Sequence, residues 1–179
     1  MGREFELKYR AEGDALAALQ QRFGEFTSIS METTYFDTAD KALSRLRWTL
    51  RRRLENGVSV CTLKTPAPGG GRGEWETPCG DILSSIPVLC NCGAPKELKT
   101  LAKEGVFPVC GAKFVRLAKS ISLENCTVEL ALDRGCLLGG GRELPLSEVE
   151  VEVKSGSEEA AMAFAEALAA EFGLIPEPL

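Results

Sequence analysis

Two segments near opposite ends of the chain alternate charged and apolar residues with a period of two. The first runs from Glu4 to Lys8 and the second from Glu148 to Lys154. Because successive side chains of a β-strand point to opposite faces, each segment is predicted to be a strand with one charged and one apolar face. A charged face turned to water is the ordinary explanation of such a pattern, and a charged binding surface is the alternative.

Six further segments have the composition of β-strands. They cover residues 26–36, 48–55, 58–65, 72–77, 113–124 and 126–133. Asn56-Gly57 separates two of them and is the strongest short-range signal of a tight β-hairpin. Residues 37–40 are expected to form a turn, followed by a short turn or helical stub at 41–46.

Three regions have the spacing of apolar residues that is typical of helices. They cover residues 12–23, 81–105 and 157–172. The second region is expected to be divided into pieces at Pro87, at the Cys90–Cys92 loop and at Pro95, and Ser157 is the expected N-cap of the third.

These elements predict an α+β fold with eight mostly antiparallel strands that close into a β-barrel. The three helical regions can pack outside the sheet and cover its apolar face. The charged faces would then line a central tunnel, whereas an ordinary sheet with its charged face in water remains the alternative. Since no linker or internal repeat interrupts the chain, one domain over residues 1–179 is expected.

The composition is that of an ordinary globular protein, with 44% apolar and 26% charged residues and a net charge of −5. This balance gives no overall attraction to nucleic acid or to an anionic membrane, and neither is expected as a partner. No apolar stretch has the length of a membrane span or the position of a signal peptide. A cytoplasmic protein is therefore expected, either a monomer or a homodimer.

Histidine is absent, and none of the seven cysteines forms a CxxC pair. The absence of histidine excludes histidine zinc sites, Ser-His-Asp triads and Cys-His dyads. The scattered cysteines are expected to be reduced thiols that pack as small apolar side chains. Any metal is then expected to be a hard cation on carboxylates, namely Mg²⁺, Mn²⁺ or Ca²⁺.

Basic and acidic side chains recur two residues apart on the predicted strands. Arg51 and Arg53 share one strand face while Arg52 points to the other. The other residues on charged faces are Lys64, Arg72, Glu74, Glu76, Arg116, Glu129 and Asp133. Lysine and arginine bind phosphate oxygens, and carboxylates hold a divalent cation that bridges those oxygens. Solvated strand faces and surface ion pairs are the simpler explanation for each group.

The order of these motifs resembles that of the CYTH superfamily, the triphosphate tunnel metalloenzymes. Its ExExK signature fits the segment from Glu4 to Lys8. Further matching elements are Tyr35-Phe36-Asp37-Thr38, Leu50-Arg51-Arg52-Arg53, Thr62-Leu63-Lys64, Arg72-Gly73-Glu74-Trp75-Glu76, Arg116, Leu132-Asp133-Arg134-Gly135 and the segment from Glu148 to Lys154. The family usually has an apolar residue at the position of Arg52, and residues 81–105 match no motif.

The resemblance implies an eight-stranded antiparallel tunnel and a metal-dependent reaction of a triphosphate. The implied ligands of Mg²⁺ or Mn²⁺ are Glu4, Glu6, Glu148, Glu150 and Glu152. The implied phosphate-binding residues are Lys8, Arg51, Arg53, Lys64 and Arg116. Lys8, Glu74, Glu76 and Asp133 are the implied catalytic residues, and the acidic ones among them, with Glu129, would hold a second metal or position the attacking water.

Hydrolysis of inorganic triphosphate is the first expectation for the reaction, with a small-molecule triphosphate as the partner. A water attacks the terminal phosphorus, so no nucleophilic side chain is needed. Thiamine triphosphate is an alternative substrate, with Tyr35, Trp48 or Trp75 as an aromatic platform. A class IV-type adenylyl cyclase and a non-catalytic module that binds polyphosphate or nucleotide also remain open.

Overall fold

A computed structural model describes residues 2–177 of the chain, with ten strands and five helices among them. The strands are β1 Gly2–Glu4, β2 Glu6–Arg10, β3 Thr27–Asp37, β4 Thr49–Glu55, β5 Val58–Pro66, β6 Arg72–Pro78, β7 Phe107–Ser122, β8 Cys126–Gly139, β9 Arg142–Gly156 and β10 Ile175–Pro176. The helices are α1 Ala15–Phe23, α2 Ala42–Arg45, α3 Ile82–Asn91, α4 Glu97–Leu101 and α5 Glu158–Phe172.

The strands are hydrogen-bonded in the order β1-β6-β5-β4-β3-β7-β8-β9-β2-β10. The registers at β1–β6, β2–β10, β2–β9, β3–β4, β4–β5 and β5–β6 are antiparallel. The α+β class is confirmed, but the predicted count of eight strands is wrong. The first predicted strand is divided at Phe5, because β1 pairs with β6 whereas β2 pairs with β9. The tenth strand, β10, adds two residues beside β2.

The described residues form two compact units. Unit 1 comprises residues 2–4, 30–113 and 137–144, and unit 2 comprises residues 5–29, 114–136 and 145–177. Among these described residues, no helix has both the length and the apolar character needed to cross a membrane.

In unit 1, α3 and α4 cover the apolar face of the sheet. Leu50, Cys61 and Leu63 point from β4 and β5 into a buried cluster with Leu89 of α3 and Leu98 of α4. Their strand neighbours Arg51, Thr62 and Lys64 alternate with them and therefore lie on the opposite face. The charged face of these strands is thus the one that the helices leave uncovered.

In unit 2, α1 and α5 cover the apolar face of the sheet. Val149 and Val151 of β9 are fully buried with Leu130 of β8, Leu19 of α1 and Ala165 of α5. The intervening Glu148 and Glu150 lie on the opposite face of β9. The predicted packing of helices on the apolar strand faces is therefore found in each unit.

Local signals in the sequence account for several element ends. Asn56 and Gly57 have φ values of 49° and 83° and join β4 to β5 in a tight hairpin, as predicted. The hydroxyl of Ser157 accepts a hydrogen bond from the N–H of Ala160 and caps α5, also as predicted. β7, β8 and β9 are longer than predicted, with 16, 14 and 15 residues.

Candidate functional site

Three carboxylates converge on the uncovered sheet face of unit 2. They belong to Asp133 of β8 and to Glu148 and Glu150 of β9, and one oxygen from each lies within 4.8 Å of the others. The register places Glu150 opposite Lys8 and Glu148 opposite Arg10 on β2. Carboxylate oxygens in this number and closeness suit a hard divalent cation such as Mg²⁺ or Mn²⁺.

Arg116 of β7 is the cationic centre of this group. Its Nε and Nη2 donate hydrogen bonds to Asp133 Oδ1 and Oδ2, both 2.8 Å long, and Nη2 lies 3.2 Å from Glu150 Oε2. Burial lowers the pKa of Arg116, but the hydrogen bonds to Asp133 and the charges of Glu150, Asp133 and Glu6 raise it by more. Arg116 is therefore held, positively charged, in a two-bond fork beside the carboxylates.

Lys8 supplies a second and more accessible positive charge. Its Nζ lies 3.5 Å from Glu150 Oε2, and 36% of its side chain is exposed. Neighbouring positions on this face are also charged, since Glu6 lies opposite Glu152 and Glu152 pairs with Lys154 at 3.0 Å. Of the sequence-predicted residues, the structure thus brings together Lys8, Arg116, Asp133, Glu148 and Glu150 in unit 2.

Glu148 has the raised pKa of a buried carboxyl group that lies near other carboxyl groups. Burial, the hydrogen bond that its protonated carboxyl shares with Glu177, and the charges of Glu177 and Glu150 raise its pKa to about 8, although Lys8 opposes the shift. Glu177 is not among the residues that the sequence predicts for the site. Its only structural context in the sequence is the segment Ile175-Pro176, which is too short and proline-containing to predict a strand.

The uncovered face of unit 1 holds a second set of predicted residues. Lys64 Nζ lies 2.8 Å from Glu4 Oε2 and 3.7 Å from Glu74 Oε2, and the Lys64 and Glu4 side chains are only 9% and 4% exposed. The register explains the contact, because Lys64 lies opposite Glu74 and Glu4 lies opposite Arg72, which is two residues from Glu74 on the same face of β6. Glu76 lies on the same strand face, opposite Thr62, and is exposed.

The arginines of β4 divide between the two sheet faces as predicted. Arg53 Nε donates a 2.7 Å hydrogen bond to Thr33 Oγ1 on the uncovered face. Arg52 Nε donates to Ser59 Oγ at 2.9 Å and points the other way. Arg51 shares the face of Arg53, and its buried Nε has no hydrogen-bond partner among the described residues. A buried donor in this state is suited to an anionic ligand.

Asp37 and Thr38 serve the local fold. Asp37 Oδ1 accepts from the N–H groups of Thr38 and Leu43, and Oδ2 accepts from the N–H and hydroxyl of Ser44. Burial raises the pKa of Asp37, but these hydrogen bonds lower it by more, so the net shift is downward. Asp37 therefore closes the turn into α2, which is the simpler of its two interpretations.

Comparison with known proteins identifies the family and the fold of the chain. The CYTH domain model matches residues 2–177. The inorganic triphosphatase of Haemophilus influenzae is 28% identical over 177 residues, which are 94% of this chain and 50% of that protein. The chain thus spans about half the length of this curated relative.

Two solved structures share the fold. A candidate adenylate cyclase from Bacillus halodurans has a TM-score of 0.66 and 21% identity, with 100% of this chain and 95% of that chain covered. A candidate adenylyl cyclase from Hippeastrum, described as having a dominant triphosphatase activity, has a TM-score of 0.63 and 20% identity, with 98% and 91% covered. The family resemblance read from the motifs is confirmed by the domain match over residues 2–177, and the chain belongs to the CYTH domain family.

Proposed function

We propose that this protein hydrolyses inorganic triphosphate to diphosphate and phosphate with the help of a divalent cation. The observation that carries the proposal is the group in unit 2, where Arg116 and Lys8 lie beside three converging carboxylates. Cationic side chains for phosphate oxygens and hard ligands for a cation are the two requirements of phosphoryl transfer. The inorganic triphosphatase relative from Haemophilus influenzae supports the same choice of substrate.

Arg116 and Lys8 would neutralise charge on the phosphates in different ways. Arg116 is fixed by Asp133, so its guanidinium needs no reorganisation when charge develops in the transition state. Lys8 is partly exposed and can turn toward an incoming phosphate. Because both Asp133 oxygens accept from Arg116, Asp133 positions that guanidinium in this structure, and its catalytic role stays a prediction.

Glu148 and Glu150, with Asp133, would hold Mg²⁺ or Mn²⁺. When bound, the cation supplies positive charge that stabilises phosphate oxygens and can lower the pKa of water. Glu4, Glu6 and Glu152 stay in the proposal as further ligands, and Arg51, Arg53 and Lys64 as further phosphate-binding residues. Glu74 and Glu76 stay as candidates for positioning the attacking water.

The proposal includes the closed tunnel that the family resemblance implies. A single domain over residues 1–179, a small-molecule substrate without a nucleic-acid or membrane partner, a monomeric or homodimeric state and a cytoplasmic location belong to the same proposal.

The direct test measures phosphate release from inorganic triphosphate, with ATP and thiamine triphosphate alongside, in Mg²⁺, in Mn²⁺ and in EDTA. We expect cation-dependent release from inorganic triphosphate that falls about 100-fold in Glu150→Gln, since a cation ligand and a neighbour of Arg116 is neutralised. Glu171→Gln is the matched control, because Glu171 pairs with Arg22 on the surface. Its rate should equal that of the wild type.

Four results would contradict the proposal. Phosphate release that persists in EDTA would show that the reaction does not require a divalent cation. Faster hydrolysis of thiamine triphosphate than of inorganic triphosphate would show that the proposed substrate is wrong. Formation of cyclic AMP and diphosphate from ATP would show that the proposed reaction is wrong. An unchanged rate in Glu150→Gln would place the reaction away from the carboxylate group of unit 2.

A further inference from the structure

Thr33 of β3 lies directly opposite Arg53 of β4 on the uncovered face of unit 1. Its hydroxyl oxygen accepts a 2.7 Å hydrogen bond from Arg53 Nε, and the two residues are only 2% and 6% exposed. A hydrogen bond shielded from water in this way is stronger than one in solution, because the local dielectric constant is low. The Arg53 guanidinium is therefore held at Nε by the hydroxyl of Thr33.

The backbone around Thr33 fixes the position of this hydroxyl. A Cβ on Gly111 of β7 would lie 2.5 Å from the carbonyl oxygen of Thr33, which is closer than real Cβ atoms come. Glycine at position 111 therefore lets the two backbones approach each other closely. Because threonine is branched at Cβ, rotation about its χ1 bond is restricted as well. The hydroxyl thus has little freedom to turn away from Arg53.

The contact with Thr33 orients Arg53 without neutralising its charge. A hydroxyl group is uncharged, in contrast to the Glu4 carboxylate that lies 2.8 Å from Lys64 Nζ. Because the guanidinium group is planar, a hydrogen bond at Nε sets the plane in which its other N–H groups lie. Thr33 therefore sets the direction in which Arg53 can donate hydrogen bonds to an anion.

The neighbouring Arg51 indicates independently that an anion belongs on this face. Arg51 lies two residues before Arg53 on the same face of β4, opposite Tyr35 of β3. Within the part of the chain that the structure describes, its buried Nε finds no acceptor. A buried donor that stays unpaired is unfavourable, and an anionic ligand would complete it.

We propose that Thr33 is a positioning residue, which orients Arg53 to donate a hydrogen bond to a phosphate oxygen of the triphosphate. This inference rests on the proposed function, and Thr33 lies outside the motifs of the sequence resemblance. The entropic cost of ordering the arginine side chain is then met when the protein folds, and not when the anion binds.

Binding of a hydrolysis-resistant imido analogue of triphosphate in Mn²⁺ tests the proposal. It is measured by calorimetry at a temperature well below the unfolding of every variant. In Thr33→Val, which keeps the branched shape and removes the hydroxyl, the dissociation constant should rise about fivefold, because Arg53 must be ordered on binding. Thr33→Ser keeps the hydroxyl and should restore most of the affinity.

Thr34→Val is the matched control for this substitution. Thr34 is the next residue of the same strand, and it faces the other side of the sheet, opposite Arg52. We expect it to bind the analogue like the wild type. Equal losses of affinity in Thr33→Val and Thr34→Val would mean that a general disturbance of β3 weakens binding, and would overturn the proposal.

An Arg53→Gln background separates positioning from a structural effect. If Thr33 acts through Arg53, Thr33→Val causes no further loss of affinity once Arg53 has been replaced. A second loss of about fivefold in that background would show that Thr33 affects binding by another route, and the positioning role would be refuted.

Failure of this inference can be distinguished from failure of the proposed function. If the wild type does not bind the analogue, both fail. If Arg53→Gln weakens binding while Thr33→Val binds like the wild type, the role of Thr33 is refuted and the proposed function stands. If Arg53→Gln itself binds like the wild type, the inference is also refuted, whereas the proposed function still stands on the group in unit 2.

Discussion

Arg116, Arg53 and Lys64 are each held in position by a neighbouring polar side chain. The partners are Asp133, Thr33 and Glu4, and each contact is 2.7 or 2.8 Å long. A buried positive charge that lacked such a partner would destabilise the fold, so these contacts keep the charges in place before any ligand arrives. At the residue scale, these positive charges are therefore held in fixed positions by the fold itself.

Asp37 gives a prediction for the dependence of stability on pH. Its carboxylate accepts four hydrogen bonds, and Asp37→Asn should lose those from Ser44, at a cost of about 2 kcal/mol in the free energy of unfolding near pH 7. Because the pKa of Asp37 is lowered in the folded state, this contribution is complete above the unfolded pKa of about 3.9. It is lost as pH falls through the lower, folded pKa.

Urea unfolding of the wild type and Asp37→Asn at several pH values measures this effect. The difference in stability should be constant from about pH 7 to about pH 5 and shrink below about pH 4. Asp14→Asn is the control, because the Asp14 side chain makes no cap hydrogen bond at the start of α1 and its replacement should change little. A difference that grows on acidification would show that another group dominates.

At the element scale, alternation of residues predicted the strand faces well. Arg51 and Arg53 lie on the uncovered face and Arg52 on the other, although the family usually has an apolar residue at that position. The spacing of two residues places Arg51 and Arg53 on the same face of β4. A shift of one residue in the register of β4 would have moved both to the opposite face and brought Arg52 to the uncovered one. The hairpin at Asn56-Gly57 holds the register between β4 and β5.

The sequence could not predict which strands pair with each other at β1 and β2. Nothing in the segment from Glu4 to Lys8 indicates that pairing changes at Phe5 from β6 to β9, because both halves have the same alternating pattern. The arrival of Glu177 beside Lys8 likewise depends on a register between segments that are distant in the sequence. Local propensity carries no information about such contacts.

The hairpin turn offers a matched pair of glycine substitutions. Gly57 has φ of 83° and Gly80 has no such conformation, yet a Cβ on either would meet no atom within 4 Å. Gly57→Ala should therefore lose about 1 kcal/mol from backbone strain alone, whereas Gly80→Ala should not suffer this loss. Thermal unfolding of both variants measures the difference, and equal stability would show that the turn tolerates an L-residue without cost.

For the whole molecule, the net charge of −5 opposes the approach of the proposed triphosphate substrate, so in the proposed reaction local positive charge and a cation have to overcome this repulsion. The positive charges lie on strand faces that the helices leave uncovered, next to carboxylates. Sequence could predict these residue types and faces, together with the family, because each depends on pattern. It could not predict the surplus of carboxylates around Glu148, which follows from folding distant segments together.

Binding of the proposed triphosphate substrate should therefore stabilise the protein much more when a cation accompanies the anion. A ligand that binds the folded state alone, at about 100 times its dissociation constant, adds about 2.7 kcal/mol, which corresponds to a rise of about 5–10 °C in melting temperature for a chain of this size. We expect that rise with a hydrolysis-resistant imido analogue of triphosphate in Mn²⁺, and a much smaller one in EDTA. Differential scanning calorimetry measures both.

Lys8→Gln should reduce this rise, because it removes the partly exposed positive charge beside Glu150. Lys103→Gln removes a charge of the same sign from an exposed position after α4 and should leave the rise intact. Each variant is compared with its own melting temperature without ligand, so a change in intrinsic stability does not affect the result. An equal rise in Lys8→Gln and Lys103→Gln would mean that the anion binds through charges elsewhere on the molecule, and a full rise in EDTA would mean that it binds without the cation.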